Sequence, residues 1–241
     1  MKPIWIIAKR ELKSFFDSLI AYIMLVAFLG FSGFFTWIYG SDIFFIGQAS
    51  LQVFFEIAYW TLFFFIPALT MRLLAEENRV GTIELLLTKP VSDWQVVVGK
   101  FLSTLLLIAI ALGLTFPYYI TVANLGNIDH GAVISGYFGL LLMSAAYISI
   151  GLFASSITNN QIVAFLITLF IGIFFHLICG VLGVSLSGWF SSLFNYLSIQ
   201  THFNSIARGV VDTRNLVYFI SLTLAGLTAT EAVLTKRNLS E

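Results

Sequence analysis

The sequence has few charged residues and almost no cysteine. Of its 241 residues, 10% are charged and 59% are hydrophobic, and the charges balance to a formal net charge of zero. Without an excess of positive charge, the composition gives no indication that nucleic acid is a partner. So high a hydrophobic content lies outside the usual composition of soluble domains. The single cysteine, Cys179, cannot form an internal disulfide, and its apolar surroundings indicate an inert packing residue.

The residue patterns of catalysis and metal binding are also missing. The three histidines, at positions 130, 176 and 202, lack ligand spacing, so no metal site is predicted. For His176, in the middle of an apolar stretch, we favour a hydrogen bond to a neighbouring helix over a metal or proton site. The pair Gly99-Lys100 lacks the upstream glycine of a P-loop, and the apolar stretches lack the charged groupings of an ion-coupled transporter. We therefore predict that the chain is not an enzyme and has no nucleotide site.

Long apolar runs are what the sequence has in abundance. A helix needs about 20 residues to cross the hydrocarbon core of a membrane, and only helices and closed barrels satisfy their backbone there. These runs show no alternation of period two, so we predict helices. The predicted architecture is an all-α polytopic membrane protein with a single transmembrane domain over residues 1–241. Its six transmembrane helices are expected at residues 18–40, 51–74, 96–123, 132–156, 159–184 and 213–235.

The cationic residues divide unequally between the two sides that these helices define. Ten Lys or Arg residues fall on the side of the two termini and two fall on the other. The positive-inside rule therefore predicts that both termini are cytoplasmic. The ten are Lys2, Lys9, Arg10, Lys13, Arg72, Arg79, Lys89, Lys100, Lys236 and Arg237, and the two are Arg208 and Arg214.

Residues 3–17 form an amphipathic pattern. Four apolar residues recur on one helical face, and the charged residues fall elsewhere, which predicts a helix lying along the inner leaflet. One interpretation is a simple positive anchor for the first span. The sharper one is an elbow helix that packs against the cytoplasmic loop and a partner subunit. The apolar face contains Ile4, Ala8, Leu12 and Phe15, and the interface cations are Lys9, Arg10 and Lys13.

The densest charged stretch covers residues 76–90 and belongs to a cytoplasmic loop over residues 76–95. Gly81 followed by Thr82 predicts a helix break and a new N-cap. Pro90 ends the short helix expected at residues 82–88. Glu84 in its first turn suits the helix dipole.

Two segments have the form of a capping box and predict where helices begin. Ser92 with Gln95 would start the third span, and Thr158 with Gln161 would start the fifth.

Residues 185–212 alternate aromatic and polar side chains and are too polar to span. We predict short re-entrant or interfacial helices on the outer side. Whether they act as a gating lid or as a plain interfacial cap stays open.

The charged loop resembles the first cytoplasmic loop of ABC-2-type exporter permeases. The resemblance extends over the whole chain and is narrower to the permease subunit of the gliding-motility-associated ABC transporter of Bacteroidota. The loop motif is Glu76-Glu77, Gly81-Thr82, Glu84-Leu85-Leu86, Pro90 and Gly99-Lys100-Phe101. The narrower resemblance rests on residues 14–16, 66–72, 151–156, 160–165 and 207–212.

The resemblance implies that residues 82–88 form a coupling helix, which docks on a separate ATPase subunit. ATP and Mg would be bound by a dimer of that subunit, and this chain would bind no cofactor. The implied partners also include membrane lipids and a second permease with an extracytoplasmic domain. The implied location is the bacterial inner membrane. The residues assigned to ATPase coupling are Glu76, Glu77, Arg79, Gly81, Thr82, Glu84, Leu85, Leu86 and Pro90, and Pro67 is assigned as a hinge.

The implied function is ATP-driven export, or envelope work linked to gliding motility. An alternative is a non-transporting scaffold that transmits motion within an envelope machine, and a secondary transporter or channel is disfavoured. In the simplest interpretation, the loop charges only fix the topology. The sequence does not indicate the substrate.

Overall fold

The computed structural model describes residues 2–39, 49–81 and 91–238, and every regular element within these ranges is helical. The predicted all-α class is confirmed. In chain order the elements are α1 (Lys2–Asp17), α2 (Leu19–Trp37), α3 (Gln52–Thr70), α4 (Ala75–Val80), α5 (Asp93–Gly113), α6 (Phe116–Leu125), α7 (His130–Ser156), α8 (Gln161–Ile173), a π-helical turn (Phe174–Ile178), α9 (Cys179–Ser185), α10 (Trp189–Leu197), α11 (Ile199–Ala207) and α12 (Thr213–Asn238).

Six helical segments in the described part of the chain are long and apolar enough to cross a membrane, as predicted. Each overlaps its predicted stretch, and the largest difference is at the end of the second, which continues to Val80. Span 2 is interrupted: α3 ends, a turn follows at residues 71–74, and α4 completes it. The spans are span 1 (Leu19–Trp37), span 2 (Gln52–Val80), span 3 (Asp93–Leu125), span 4 (His130–Ser156), span 5 (Gln161–Ser185) and span 6 (Thr213–Lys236).

One of the two predicted capping boxes is present. The Ser92 side chain accepts a hydrogen bond from the backbone of Gln95, and the Gln95 side chain accepts one from the backbone of Ser92. The prediction for span 5 was wrong. Its N-cap is Asn160, which accepts from the backbone N–H of Ile162, while the hydroxyl of Thr158 accepts from the N–H of Asn160. The Thr158 hydroxyl thus stabilises the turn before the helix.

Span 4 is the centre of the bundle. It contacts spans 2, 3, 5 and 6 as well as α11. In its most apolar stretch, 78% of the residues are buried, against 22% in the corresponding stretch of span 6. Close approach to its neighbours depends on small residues. Span 4 touches span 2 at Gly151, where any larger side chain would overlap Thr70. A displacement of span 4 would therefore alter its packing against spans 2, 3, 5 and 6.

The bundle has two ends of different character. The charged end contains α1, residues 71–81, the start of span 3 and the last turn of span 4, and Thr235 of span 6 reaches Asp93 there at 3.2 Å. The distal end contains residues 185–212, of which α10 and α11 form two short helices. The predicted outer, re-entrant placement of residues 185–212 relative to a bilayer stays a prediction.

Candidate functional site

The first element of the candidate site is α1, which packs along the start of span 3. Ile7, Ala8 and Phe15 are buried on its apolar face. The two helices meet at Gly99, where an added side chain would lie within 2.7 Å of Ile7. The predicted interface cations point away from this contact, and all three are exposed: Lys9, Arg10 and Lys13.

A buried ion-pair network connects α1, α4 and span 3. Lys100, seven residues into span 3, is 1% exposed, and its Nζ lies 2.7 Å from Glu77 Oε1 and 3.5 Å from Glu11 Oε1. Glu11 also accepts a hydrogen bond of 2.6 Å from Arg10. A buried charge is tolerated only when it is paired. The two carboxylates therefore fix the Lys100 ammonium, and the ammonium holds three helices in one arrangement.

The charge state of Glu11 reflects this network. Burial alone would raise the pKa of its carboxyl, but the Lys100 ammonium and the Arg10 guanidinium outweigh burial and lower the pKa below its ordinary value of 4.5. Glu11 is therefore a carboxylate at neutral pH.

The second connection is a serine that bridges the interruption in span 2. Ser155 of span 4 accepts hydrogen bonds from the backbone N–H groups of Leu74, at 3.0 Å, and Ala75, at 2.9 Å. Its hydroxyl donates to the carbonyl oxygen of Met71 at 3.1 Å. A helix start leaves its first N–H groups without partners, and Leu74, at the N-cap, has no side-chain oxygen to accept them. Ser155 supplies the missing cap from another helix.

The short helix α4 has one face against the bundle and one face free. On the inner face, Glu77 pairs with Lys100, and Asn78 donates to the backbone carbonyl of Ser156 at 3.3 Å. On the outer face, Glu76 and Arg79 are exposed. Of the three residues of α4 assigned to ATPase coupling, Glu77 thus holds the helix against the bundle, and Glu76 and Arg79 face outwards.

Gly81 ends α4 as the sequence predicts. Its φ of +73° places it in the left-handed region, with its N–H bonded to the carbonyl of Glu77. A glycine is the preferred residue for this helix end. The remaining predicted coupling residues lie outside the described residues: Thr82, Glu84, Leu85, Leu86 and Pro90.

Pro67, predicted as a hinge, is buried inside α3. The helix is continuous across it, and the interruption of span 2 comes later, at residues 71–74. Its role as a hinge stays a prediction.

A cleft of about 330 Å³ opens beside the ion-pair network, between α1 and the end of span 2. Arg72 lies on its wall, with its guanidinium 5.0 Å above the ring of Phe15 and 3.4 Å from the hydroxyl of Ser18. This cation–π contact adds a further link between α1 and span 2. Both signs of charge line the cleft: Arg10, Arg72 and Lys100 with Glu11, Glu76 and Glu77.

Sequence reasoning missed two of these residues. Lys100 counted as a cation of the cytoplasmic side and as part of the loop motif, but not as one member of an ion pair. A lysine seven residues inside an apolar helix requires a carboxylate partner, and that signal could have found the network. Ser155 carried no comparable signal, because its partners are backbone groups about 80 residues away in the chain.

The predicted hydrogen bond of His176 to a neighbouring helix is present. Its Nδ1 lies 2.7 Å from the hydroxyl of Tyr147 in span 4. The imidazole is fully buried in the π-helical turn and stacks on the ring of Tyr59 at 4.0 Å. His130 and His202 lie elsewhere, and the described residues contain no group of three potential metal ligands.

Of the six helical segments in the described residues that are long and apolar enough to cross a membrane, four pack around span 4. The fold is that of a multi-pass helical membrane protein. Residues 5–235 match the family described as ABC-2 family transporter protein. The chain belongs to this family, whose transmembrane domain has no nucleotide-binding site of its own. A comparison with the curated proteins finds no match.

Proposed function

We propose that this chain is the transmembrane subunit of an ATP-driven ABC exporter. In this proposal a separate dimer of ATPase subunits binds ATP and Mg, and its motion reaches the membrane through residues 76–95. Membership of the ABC-2 family supports an ATPase partner in general. The observation that carries the proposal is α4, which is anchored to the bundle on one face and exposes Glu76 and Arg79 on the other.

The geometry suits a mechanical connection. An ATPase that contacts the exposed face of α4 and residues 82–90 would push on a helix whose inner face is fixed to spans 3 and 4. Exposed charges on both partners give specificity and steer association more than they add affinity. The proposed ATPase surface therefore includes Glu76, Arg79 and Glu84, whereas Glu77 is assigned to the anchoring of α4.

The proposal extends to the surroundings of the chain. The concentration of cations at the charged end supports a cytoplasmic location of both termini. The family resemblance supports a bacterial inner membrane as the location of the chain. A second permease with an extracytoplasmic domain would complete the transporter. The narrower resemblance supports a link to gliding motility.

A non-transporting scaffold is the second candidate. The same anchored helix could transmit ATPase motion to an envelope machine without moving a solute. ATP turnover that depends on this chain, in a complex that exports nothing, would favour the scaffold.

The test is the ATPase activity of the purified complex. Reversing two outer charges, in Glu76→Lys combined with Glu84→Lys, is expected to lower the ATPase activity that the permease stimulates, because the partner then meets like charges. Membrane insertion should be unchanged. Arg214→Glu is the matched control, since Arg214 is an exposed charge at the distal end.

Unaltered ATP turnover and assembly in the double variant would contradict the proposed surface. A chain that co-purifies with no ATPase at all would contradict the function itself.

A further inference from the structure

The interruption of span 2 removes two of its backbone helical hydrogen bonds. In a continuous helix, the N–H of Leu74 would bond to the carbonyl of Thr70, and that of Ala75 to the carbonyl of Met71. Both N–H groups bond to Ser155 instead, while the Met71 carbonyl accepts the Ser155 hydroxyl and the Thr70 carbonyl accepts from Leu73. The Ser155 side chain of span 4 thus takes the place of the two missing backbone hydrogen bonds.

This arrangement uses the full hydrogen-bonding capacity of one hydroxyl. A serine has one donor and two acceptor positions, and all three are engaged at distances from 2.9 to 3.1 Å. The serine and both residues whose N–H groups it accepts are fully buried, so these groups are not in contact with bulk solvent. The two halves of span 2 are therefore joined to each other, and to span 4, through the same atom.

The contacts on either side make the connection rigid. One turn towards the cytoplasm, Asn78 bonds to the carbonyl of Ser156. One turn in the other direction, Gly151 of span 4 leaves no room beside Thr70. A displacement of α4 is thereby transmitted both along span 2 and to span 4. Span 4 in turn contacts four other spans.

We propose that Ser155 is a positioning residue for energy coupling, which makes α4 and the end of span 4 move as one body when the ATPase acts. The proposal rests on the proposed function and adds the route by which the motion enters the bundle. It places the first mechanical step at span 4 and not at a bend of span 2 around Pro67.

The test compares Ser155→Ala with Ser144→Ala in the complex of the full chain with its ATPase. Ser144 is equally buried on the same helix, but its hydroxyl bonds only to the carbonyl of Leu140 in its own helix. Spin labels at Val80 and Ile157, both exposed, report the distance between α4 and the end of span 4, with Cys179 replaced by alanine.

In the wild type and in Ser144→Ala, we expect the same distance between the labels with and without ATP. In Ser155→Ala, that distance should change on addition of ATP, and the stimulated ATPase activity should fall about 2- to 30-fold, the range of measured coupling effects. A role in folding alone would not produce an ATP-dependent distance. If Ser155→Ala does not assemble, Asn78→Leu removes the neighbouring contact and should give a smaller change in the same direction.

Two results would overturn the inference. One is a distance in the wild type that changes with ATP as much as in the variants, and the other is identical behaviour of Ser155→Ala and Ser144→Ala. If the wild-type complex lacks stimulated ATPase activity, the proposed function fails instead, so the two failures are distinguishable.

Discussion

The two ends of the bundle hold their helices together by different chemistry. At the charged end, a buried lysine and two glutamates join α1, α4 and span 3. At the distal end, hydrogen bonds that involve no carboxylate make the contacts: His202 Nδ1 lies 2.7 Å from Asn215 Oδ1 and its Nε2 lies 2.8 Å from the carbonyl oxygen of Tyr196, and Tyr218 donates to the carbonyl of Leu197 at 2.6 Å. Removing one of these hydrogen bonds leaves a polar group without its partner, whereas removing one member of a buried ion pair leaves an uncompensated charge. The loss of one group is therefore expected to cost more at the charged end than at the distal end.

The largest expected effect comes from breaking the ion-pair network. Lys100→Met leaves Glu77 without its cation and Glu11 with Arg10 alone, and we expect a loss of about 3–5 kcal/mol in the free energy of unfolding. The measurement is the thermal unfolding of the purified protein in detergent. Lys9→Met, at an exposed position of α1, is the control and should be nearly neutral. Equal midpoints for the two variants would contradict the role given to the network.

The corresponding change at the distal end should cost less. His202→Ala leaves the Asn215 amide and the Tyr196 carbonyl without their partner, and we expect a loss of about 2 kcal/mol. The exposed His130, changed to alanine, is the control. If His202→Ala were more damaging than Lys100→Met, the contrast between the two ends would be wrong.

A smaller effect is expected at the end of α4. Gly81→Ala places a β-carbon at a φ of +73°, which costs about 1 kcal/mol because only glycine adopts this region freely. Among the described residues, no atom lies within 4 Å of the added carbon, so the expected cost is conformational. Gly30→Ala lies inside a helix, and no atom of the described ranges comes within 4 Å of its added carbon; it should instead be neutral or stabilising. A stabilised Gly81→Ala variant would contradict the helix end described here.

The smallest effect concerns pH. Because the pKa of Glu11 is lower in the folded protein than its ordinary value of 4.5, the ionised carboxylate stabilises the fold above that pH, and this contribution is lost as the pH falls below it. Glu11→Gln should therefore lose less stability than the wild type when the unfolding midpoint is compared at pH 6 and pH 4. Parallel losses in the two proteins would mean that Glu11 does not act through its charge.

Most of the fold could be predicted because its signals are local. Apolar runs located all six spans, and the capping box at Ser92 set the start of span 3. The Thr158 prediction failed where two polar side chains competed for the same helix start, and the order of preference between Thr158 and Asn160 depends on the backbone of the turn. Long-range partners could not be predicted, since nothing near Ser155 indicates that it caps α4.

The candidate site was predictable in part for the same reason. Charge density located residues 76–81, but only packing decides that Glu77 faces Lys100 while Glu76 faces outwards. Both faces of this six-residue helix carry polar side chains, and the sequence alone does not show which face packs against the bundle.

The most direct test of the charged end as the place where ATPase motion enters is site-specific photo-crosslinking in cells. A photoreactive residue at Arg79, on the exposed face of α4, is compared with one at Arg214, at the exposed start of span 6. Mass spectrometry of the crosslinked product should identify a P-loop ATPase joined at position 79 and none at position 214. Crosslinking of such an ATPase at position 214, with none at position 79, would contradict the account.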